Sequence, residues 1–305
     1  MEILIPGALP PAPIAPELIQ YVESNCPELV ARFNFLHPQV LSLHPDQTGC
    51  TPFEAIELQR KGFQVQSQSN LGAGLGPLRA GVQRADEQVW IAELTSVAIA
   101  TEGPSLLEPE ALCLTQHESD ALYDSVAHLW ADRPISVLPI NAARWRIWLP
   151  NQPVIQSASP KAIAGMALAD WWPQHESLRE WRKLLNEIQM VWHDHPVNEA
   201  RAAQGLPLVN SLWLYGGAQG WKPESANDIV IFEDLLPSHT RSDWGTWINT
   251  LPALSAFIAE KPQDAILTLL GQQHGIQLAP ASRSWWRDLW PAKKHNWKSW
   301  WNLQN

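Results

Sequence analysis

Cysteine is scarce in this chain. Cys26, Cys50 and Cys113 are the only three among 305 residues and stand far apart. They make neither a CxxC pair nor an even disulfide framework, so a reducing compartment is expected. Positive charge is also short: 21 Lys and Arg face 31 Asp and Glu, a net charge of −10. Broad nucleic-acid binding needs concentrated Lys and Arg and is not expected. No apolar run is long enough to span a bilayer. The opening MEILIPGALPPAPIAPEL lacks the basic start and long apolar core of a secretory signal, which makes the cytoplasm the expected location. A P-loop, a nucleophile elbow, a Ser-His-Asp order and a zinc signature are all missing.

What is present is a globular composition, 45% apolar, with 18 Trp against 3 Tyr, and 26 Pro. So many indoles predict large buried anchors whose N–H groups need partners. Helical and strand patterns interleave along the chain, which predicts an α/β layered sheet with helices on both faces. We expect a single domain over residues 1–305, with a subdomain boundary near the polar connection 151–160.

The most informative stretch is Trp181 to Gly220. Leu178, Trp181, Leu185, Ile188 and Trp192 recur at steps of three and four, the stripe of an amphipathic helix. Pro196 ends that helix and suits the first turn of another, capped by Asp194 or His195. Gly205 is a C-terminal stop. Leu208 to Tyr215 then reads as a strand covered on both faces, emptying into Gly216-Gly217-Ala218-Gln219-Gly220.

Asn198 and Arg201 lie about one helical turn apart and can face the same way. With Asn210, Gly216 and Gly217, and with Trp213 or Tyr215 as a wall, they form a candidate anion pocket. Arg201 would supply the fork and the glycines a close backbone approach. The competing reading has Arg201 binding a carbonyl and Asn210 fixing a turn. His193-Asp194-His195 resembles a metal triplet, but residues two apart on a helix diverge, and capping accounts for the trio more simply.

This stretch, with Asn186-Glu187-Ile188-Gln189-Met190, His195-Pro196-Val197-Asn198, Arg201, Gly205 and Val209 to Gly217, resembles the RpfE-type regulatory proteins, a bacterial family also described as cofactor-independent phosphoglycerate mutase. The resemblance runs from about Pro52 to about Asp234. His195-Pro196-x-Asn198-x-x-Arg201 and Asn210-x-x-Trp213-x-Tyr215-Gly216 also resemble, more weakly, a segment of the archaeal-type phosphoglycerate mutases. That enzyme family implies a shortened alkaline-phosphatase-like sandwich, an early Asp-Gly pair whose Asp binds metal, a nucleophilic Ser and a later Asp/His set. Here Pro6-Gly7 occupies the first place without a carboxylate. Ala92 to Val97 replaces an Asp-Pro-Val-His run that the family carries. After Gly220 only His239, His274 and His295 remain, none beside suitable carboxylates. The resemblance therefore implies a non-catalytic regulatory or interaction protein, a pseudoenzyme with a remnant anion pocket. It implies no catalytic or metal-binding residue and no cofactor, and either a protein partner or a small anionic ligand. The alternative is a phosphotransfer enzyme of the mutase or phosphatase kind.

Elsewhere, strands are expected at Glu2–Ile5, Trp90–Thr95, 135–140, 144–149, 228–232 and 265–270. Helices are expected at 16–35 with a break near Pro27, from Pro52 behind a Thr51 N-cap with Glu54 as an acid in the first turn, from Thr115 behind a capping box with Glu118, and over 242–260. His37-Pro38 and His44-Pro45-Asp46 read as turns. The glycine-rich Asn70 to Gly81 reads as a surface loop. The tail, with Trp285, Trp286, Trp290, Trp297, Trp300 and Trp301 among Arg and Lys, reads as a docked pair of helices, with a membrane or single-strand nucleic-acid surface as the other option.

Overall fold

The computed structural model describes residues 1–100, 103–168, 171, 175–225, 228–280 and 296–301. In chain order, β1 (Glu2–Pro6), α1 (Ala15–Asn25), α2 (Pro27–Phe33) and β2 (His37–Ser42) come first. Then follow α3 (Pro45–Thr48), α4 (Pro52–Arg60), a 3-10 turn (Leu71–Gly74), α5 (Leu75–Ala80), β3 (Gln88–Thr95), β4 (Val97–Ala100), β5 (Gly103–Leu106), α6 (Gln116–Val126), β6 (Ser136–Asn141) and β7 (Arg144–Trp148). The remainder is α7 (Pro160–Ile163), α8 (Arg179–His193), α9 (Pro196–Ala203), β8 (Ser211–Gln219), β9 (Ile229–Ile231), α10 (Leu236–Thr240), α11 (Trp244–Ala259), β10 (Ile266–Leu270), β11 (His274–Ala279) and α12 (Lys298–Trp301). The fold is mixed α/β, as the interleaved patterns predict. No helix among the described residues is long and apolar enough to cross a membrane.

The chain forms two compact units. The terminal unit joins residues 1–44 to 226–305; the inserted unit is 45–225. The divisions therefore fall beside His44 and Ser225. The connection 151–160 lies within the inserted unit, where Pro153, Ser157 and Ala158 accept or exchange hydrogen bonds with sheet residues.

The terminal unit carries a five-stranded sheet in the order β2-β11-β10-β1-β9. β9, β1 and β10 are parallel, and β11 and β2 continue antiparallel. Ile3, Ile5, Leu267, Leu269, Ile276 and Leu278 share a core with α1, α2 and α11. β2 contains His37-Pro38, so that pair opens a strand rather than a turn. Proline is tolerated there because β2 is an edge strand. β11 and α10 carry no clear sequence pattern and were not expected. At the end of β1, Gly7 has φ +77 and packs so closely that a Cβ would lie 2.9 Å from Leu236 Cα. Its carbonyl accepts from the Trp247 indole at 2.8 Å.

Trp297, Trp300 and Trp301 are buried around Phe33, with the Trp300 ring edge-on to it at 4.9 Å. That part of the tail is docked, as expected; Trp285, Trp286 and Trp290 lie outside the described residues.

His239 is buried in this unit and donates from Nε2 to the Leu9 carbonyl at 2.9 Å. Burial holds its imidazole below the ordinary 6.5, and the bond to Leu9 offsets only part of this. The folded-state value is thus depressed relative to the unfolded chain. Above about pH 6.5 neither state is charged, and the stability is intact. As pH falls below that, the unfolded state takes the proton first and stability is lost. Thermal melts from about pH 8 to about pH 5 should fall in midpoint, and the fall should be shallower for His239→Gln. Parallel curves for the two proteins would remove His239 as the cause.

The inserted unit has a four-stranded antiparallel sheet, β6-β7-β3-β8. On one face Trp90, Ala92, Leu94, Trp145, Ile147, Leu212 and Leu214 meet α6 and α8 in a single core. Trp145 and Trp192 cross edge to face at 5.8 Å within it. The other face is covered by the 3-10 turn, α5 and the 153–159 segment.

β8 is the edge strand of its sheet, not a central one. It reads as doubly covered because residues 211–218 are all buried, Leu212 and Leu214 in the core with α8 and the opposite face beneath the 3-10 turn and α5. The Asn70 to Gly81 stretch is that cover, not a surface loop: Leu71 to Pro77 are buried. Its glycines do allow a close approach, but to the protein itself: Gly72 and Gly76 to backbone and Gly74 to the Phe63 ring. A Cβ on Gly76 would sit 2.2 Å from the Val89 carbonyl oxygen and 3.2 Å from Gly216 Cα.

Candidate functional site

The site region is built by α8, α9 and the start of β8. α8 places Trp181, Leu184, Leu185, Ile188 and Trp192 inward, following the apolar stripe. Asp194 ends it, and His195 caps α9 by accepting from the Val197 N–H at 3.2 Å. Gly205, at φ +69, turns the chain out of α9. The segment through Leu208 then reaches β8, which begins at Ser211.

A concavity of about 440 Å³ opens there, lined by Val97, Gln189, Trp192, His193, Asn198, Leu208 and Asn210. Two of the seven residues singled out from the sequence, Asn198 and Asn210, meet in it. Asn198 is buried; its Nδ2 donates to the Trp192 and Val209 carbonyls at 2.8 and 2.9 Å, and its Oδ1 accepts from Val209 N at 2.9 Å. It clamps the end of α8 to the entry of β8. The Asn210 side chain brackets one residue: Oδ1 accepts from Val97 N at 2.8 Å, and Nδ2 donates to the Val97 carbonyl at 2.9 Å. Gln189 donates to the Asn210 carbonyl at 3.2 Å. Among the described residues the lining contains amides, an imidazole and apolar walls, with no Lys, Arg, Asp or Glu.

The other five residues do not line it. Arg201 is only 1% exposed. Its Nε donates to the Pro207 carbonyl at 2.7 Å, its Nη1 to Glu118 Oε1 at 2.8 Å, and its Nη2 to the Leu112 carbonyl. The guanidinium fork is directed into the unit, tying α9 to α6. Trp213 and Tyr215 project from the opposite face of the sheet to Leu212 and Leu214. The Trp213 indole donates to the Ala158 carbonyl at 2.8 Å. The Tyr215 hydroxyl donates at 2.8 Å to Glu93 Oε2, which also accepts from Arg144 Nε at 2.9 Å. Burial, then the neighbouring Glu93 charge, pushes the Tyr215 hydroxyl well above its usual range.

Gly216 and Gly217 have φ +93 and +95. Ser157 Oγ donates to the Gly216 carbonyl at 2.9 Å and accepts from its N–H at 3.0 Å. Gly217 packs on the Trp90 ring, where a Cβ would fall 2.3 Å from Cζ2. These glycines serve the sheet's own β-bulge at Val89/Trp90. Gly217→Ala should therefore lose about 2–4 kcal/mol, from left-handed strain and overpacking together. Gly205→Ala, with nothing within 4 Å of the new methyl, should lose only about 1–2 kcal/mol. Urea unfolding of the two variants checks this, and equal losses would refute the packing argument.

Val97, Gln189, Trp192, His193 and Leu208 were not picked out from the sequence as a site. In the sequence Leu208 is simply the head of an apolar run; the structure shows it 38% exposed. His193 and Asp194 are both exposed, with Nε2 and Oδ1 3.8 Å apart. Among the described residues no three His, Cys, Asp or Glu side chains group as a metal-holding set.

No protein-family model matches the chain, and no curated protein sequence matches it. Among solved structures, the chain is similar to a cofactor-independent phosphoglycerate mutase from Thermoplasma acidophilum DSM 1728, with a TM-score of 0.37 and 13% identity over 99% of this chain and 95% of that one. It is similar also to the PH0037 protein from Pyrococcus horikoshii, with a TM-score of 0.41 and 11% identity over 91% of this chain and 86% of that one. Both likenesses are distant.

Proposed function

We propose that the protein is a non-catalytic binding protein of the regulatory kind, acting in the cytoplasm, with its binding site at the Asn210 concavity. One observation carries the reading. The concavity has uncharged, largely apolar walls, its Asn198 and Asn210 amides already bonded to the protein's own backbone, and the cation nearest in sequence, Arg201, is held by three internal acceptors. Uncharged, largely apolar walls suit a peptide's apolar side chain better than a phosphate, which is bound by forks and point charges. A protein partner is therefore favoured over a small anion. The resemblance of Asn186–Met190, His195–Asn198 and Val209–Gly217 to the RpfE-type regulatory proteins points to the same class. The free cysteines suit a reducing cytoplasm.

The test has two arms. Tagged protein is purified from its own cells as wild type and as Leu208→Asp, and bound proteins are compared. A partner held by the wild type and lost with Leu208→Asp is the expected result. In parallel the purified chain, loaded with manganese or zinc, is assayed for mutase and phosphatase turnover. Turnover well above the metal blank would overturn the reading in favour of a phosphotransfer enzyme.

A further inference from the structure

β4 has an unusual edge beside the concavity. It continues the line of β3 past Ser96, and on one side it pairs with β5. The outer side of β5 is engaged near its end through a bridge from Ser105 to Ala167. On the other side of β4, where the line of β8 would continue, the main chain has turned away at Asn210. Among the described residues only the Asn210 side chain stands in for a strand there, bonding both backbone groups of Val97.

Backbone groups along a strand alternate in direction. The Ser96 carbonyl faces β5, accepting from Leu107 N at 2.9 Å. Val97 faces the Asn210 side. Ala98 therefore faces β5 again, and the N–H and C=O of Ile99 face the same way as those of Val97. Opposite Ile99 on β5 stands Pro104, which has no N–H to give. Ile99 is 90% exposed. The open side of β4 thus leads from Ile99 to Val97 and into the concavity, whose walls are Val97, Leu208 and Trp192.

We propose that this edge receives an extended peptide by strand addition, pairing with the backbone of Ile99 and seating one apolar side chain in the concavity. The proposal rests on the reading of the protein as a non-catalytic binding protein, and it names the partner's chemistry. The peptide is neutral or basic. Asp194 and Glu199, both exposed, adjoin the lining residues His193 and Asn198 in sequence, and no Lys or Arg adjoins any lining residue. Asn210 fixes the register: by occupying Val97 it ends the free ladder one pair short of β8, so the peptide side chain that follows is delivered to the concavity and not to the sheet.

Random heptapeptides displayed on phage are selected against the full chain, and enriched sequences are synthesised. The expected sequences alternate apolar with polar residues and carry no net negative charge. Methylating each backbone nitrogen of the peptide in turn should weaken binding at least tenfold at a position opposite Ile99 and leave adjacent positions nearly unchanged. This measurement leaves the protein unaltered. Leu208→Asp, with its far-ultraviolet spectrum and melting temperature checked against wild type, should weaken the same peptides at least tenfold. Absence of enrichment, or peptides indifferent to methylation at every position, overturns strand addition. Those failures leave a partner lost with Leu208→Asp standing, so the wider reading survives them. Metal-dependent turnover would remove the wider reading whatever the peptides do.

Discussion

Arg201→Ala is expected to lose about 3–5 kcal/mol of unfolding free energy, the scale seen when one member of a buried ion pair is removed. Arg201 is fully enclosed and gives donors to Glu118, Pro207 and Leu112. Its removal strands two carbonyls and a carboxylate whose side chain is only 20% exposed. The damage also reaches α6, because Glu118 closes the capping box with Thr115 through its other oxygen. Burial raises the Glu118 carboxyl, but the bonds from Thr115 and from Arg201 outweigh it and the net shift is downward. A carboxylate depressed in the folded state contributes stability above its unfolded value of 4.5. That contribution is lost as pH falls through the folded value. The acid limb of the stability curve should therefore be shallower in Arg201→Ala than in wild type. A ligand-facing arginine would behave differently, with a change within about 0.5 kcal/mol. Urea unfolding at two pH values separates the two cases.

The second large effect belongs to Glu93→Leu. Glu93 is 2% exposed and pairs directly across the strands with Arg144. One of its oxygens serves both Arg144 and the Tyr215 hydroxyl. Burial alone would lower the Arg144 value, yet Tyr215 and Glu93 hold it above its usual range. Removing the carboxylate leaves a guanidinium and a phenol without their acceptor, for a loss of about 3–5 kcal/mol. Adding Arg144→Met to Glu93→Leu should recover part of that loss, because an apolar pair replaces an orphaned charge. The double-mutant cycle should show a coupling of at least about 1 kcal/mol. Additive losses would mean that the pair is energetically idle.

The two arginines show what a sequence can and cannot express. Spacing places Asn198 and Arg201 on one face of α9, and the structure has them both buried. Spacing does not say whether that face looks inward or outward. The decisive partner, Glu118, lies on another helix and was visible only as part of its own capping box. Local devices were readable because their causes are local: the α8 stripe, the Thr51 and Thr115 caps, the His195 cap and the Gly205 turn. The rank of β8 in its sheet was not. A strand roofed by a helix at the sheet edge shows the same unbroken apolar run as one in the middle. The glycines 72, 74 and 76 announce a close approach without naming what approaches. The concavity was least legible, since Val97 and Asn210 are neutral, unpatterned and far apart in the chain.

The topology has a consequence for synthesis on the ribosome. β1 pairs with β9 and β10, so Glu2 meets Ile229 on one side and Ile266 on the other. The first four elements of the terminal unit thus emerge long before the strands that complete their sheet. At typical elongation rates of about 5–20 residues per second, the delay is roughly 10–45 s. During it, Ile3, Ile5, Leu18, Val22, Leu29 and Phe33 lack their sheet and α11 partners, while residues 45–225, which form a compact unit of their own, are still being made. The nascent chain carries an open apolar half-core ahead of residues 45–225, a target for holding chaperones and for capture by neighbouring copies on the same message.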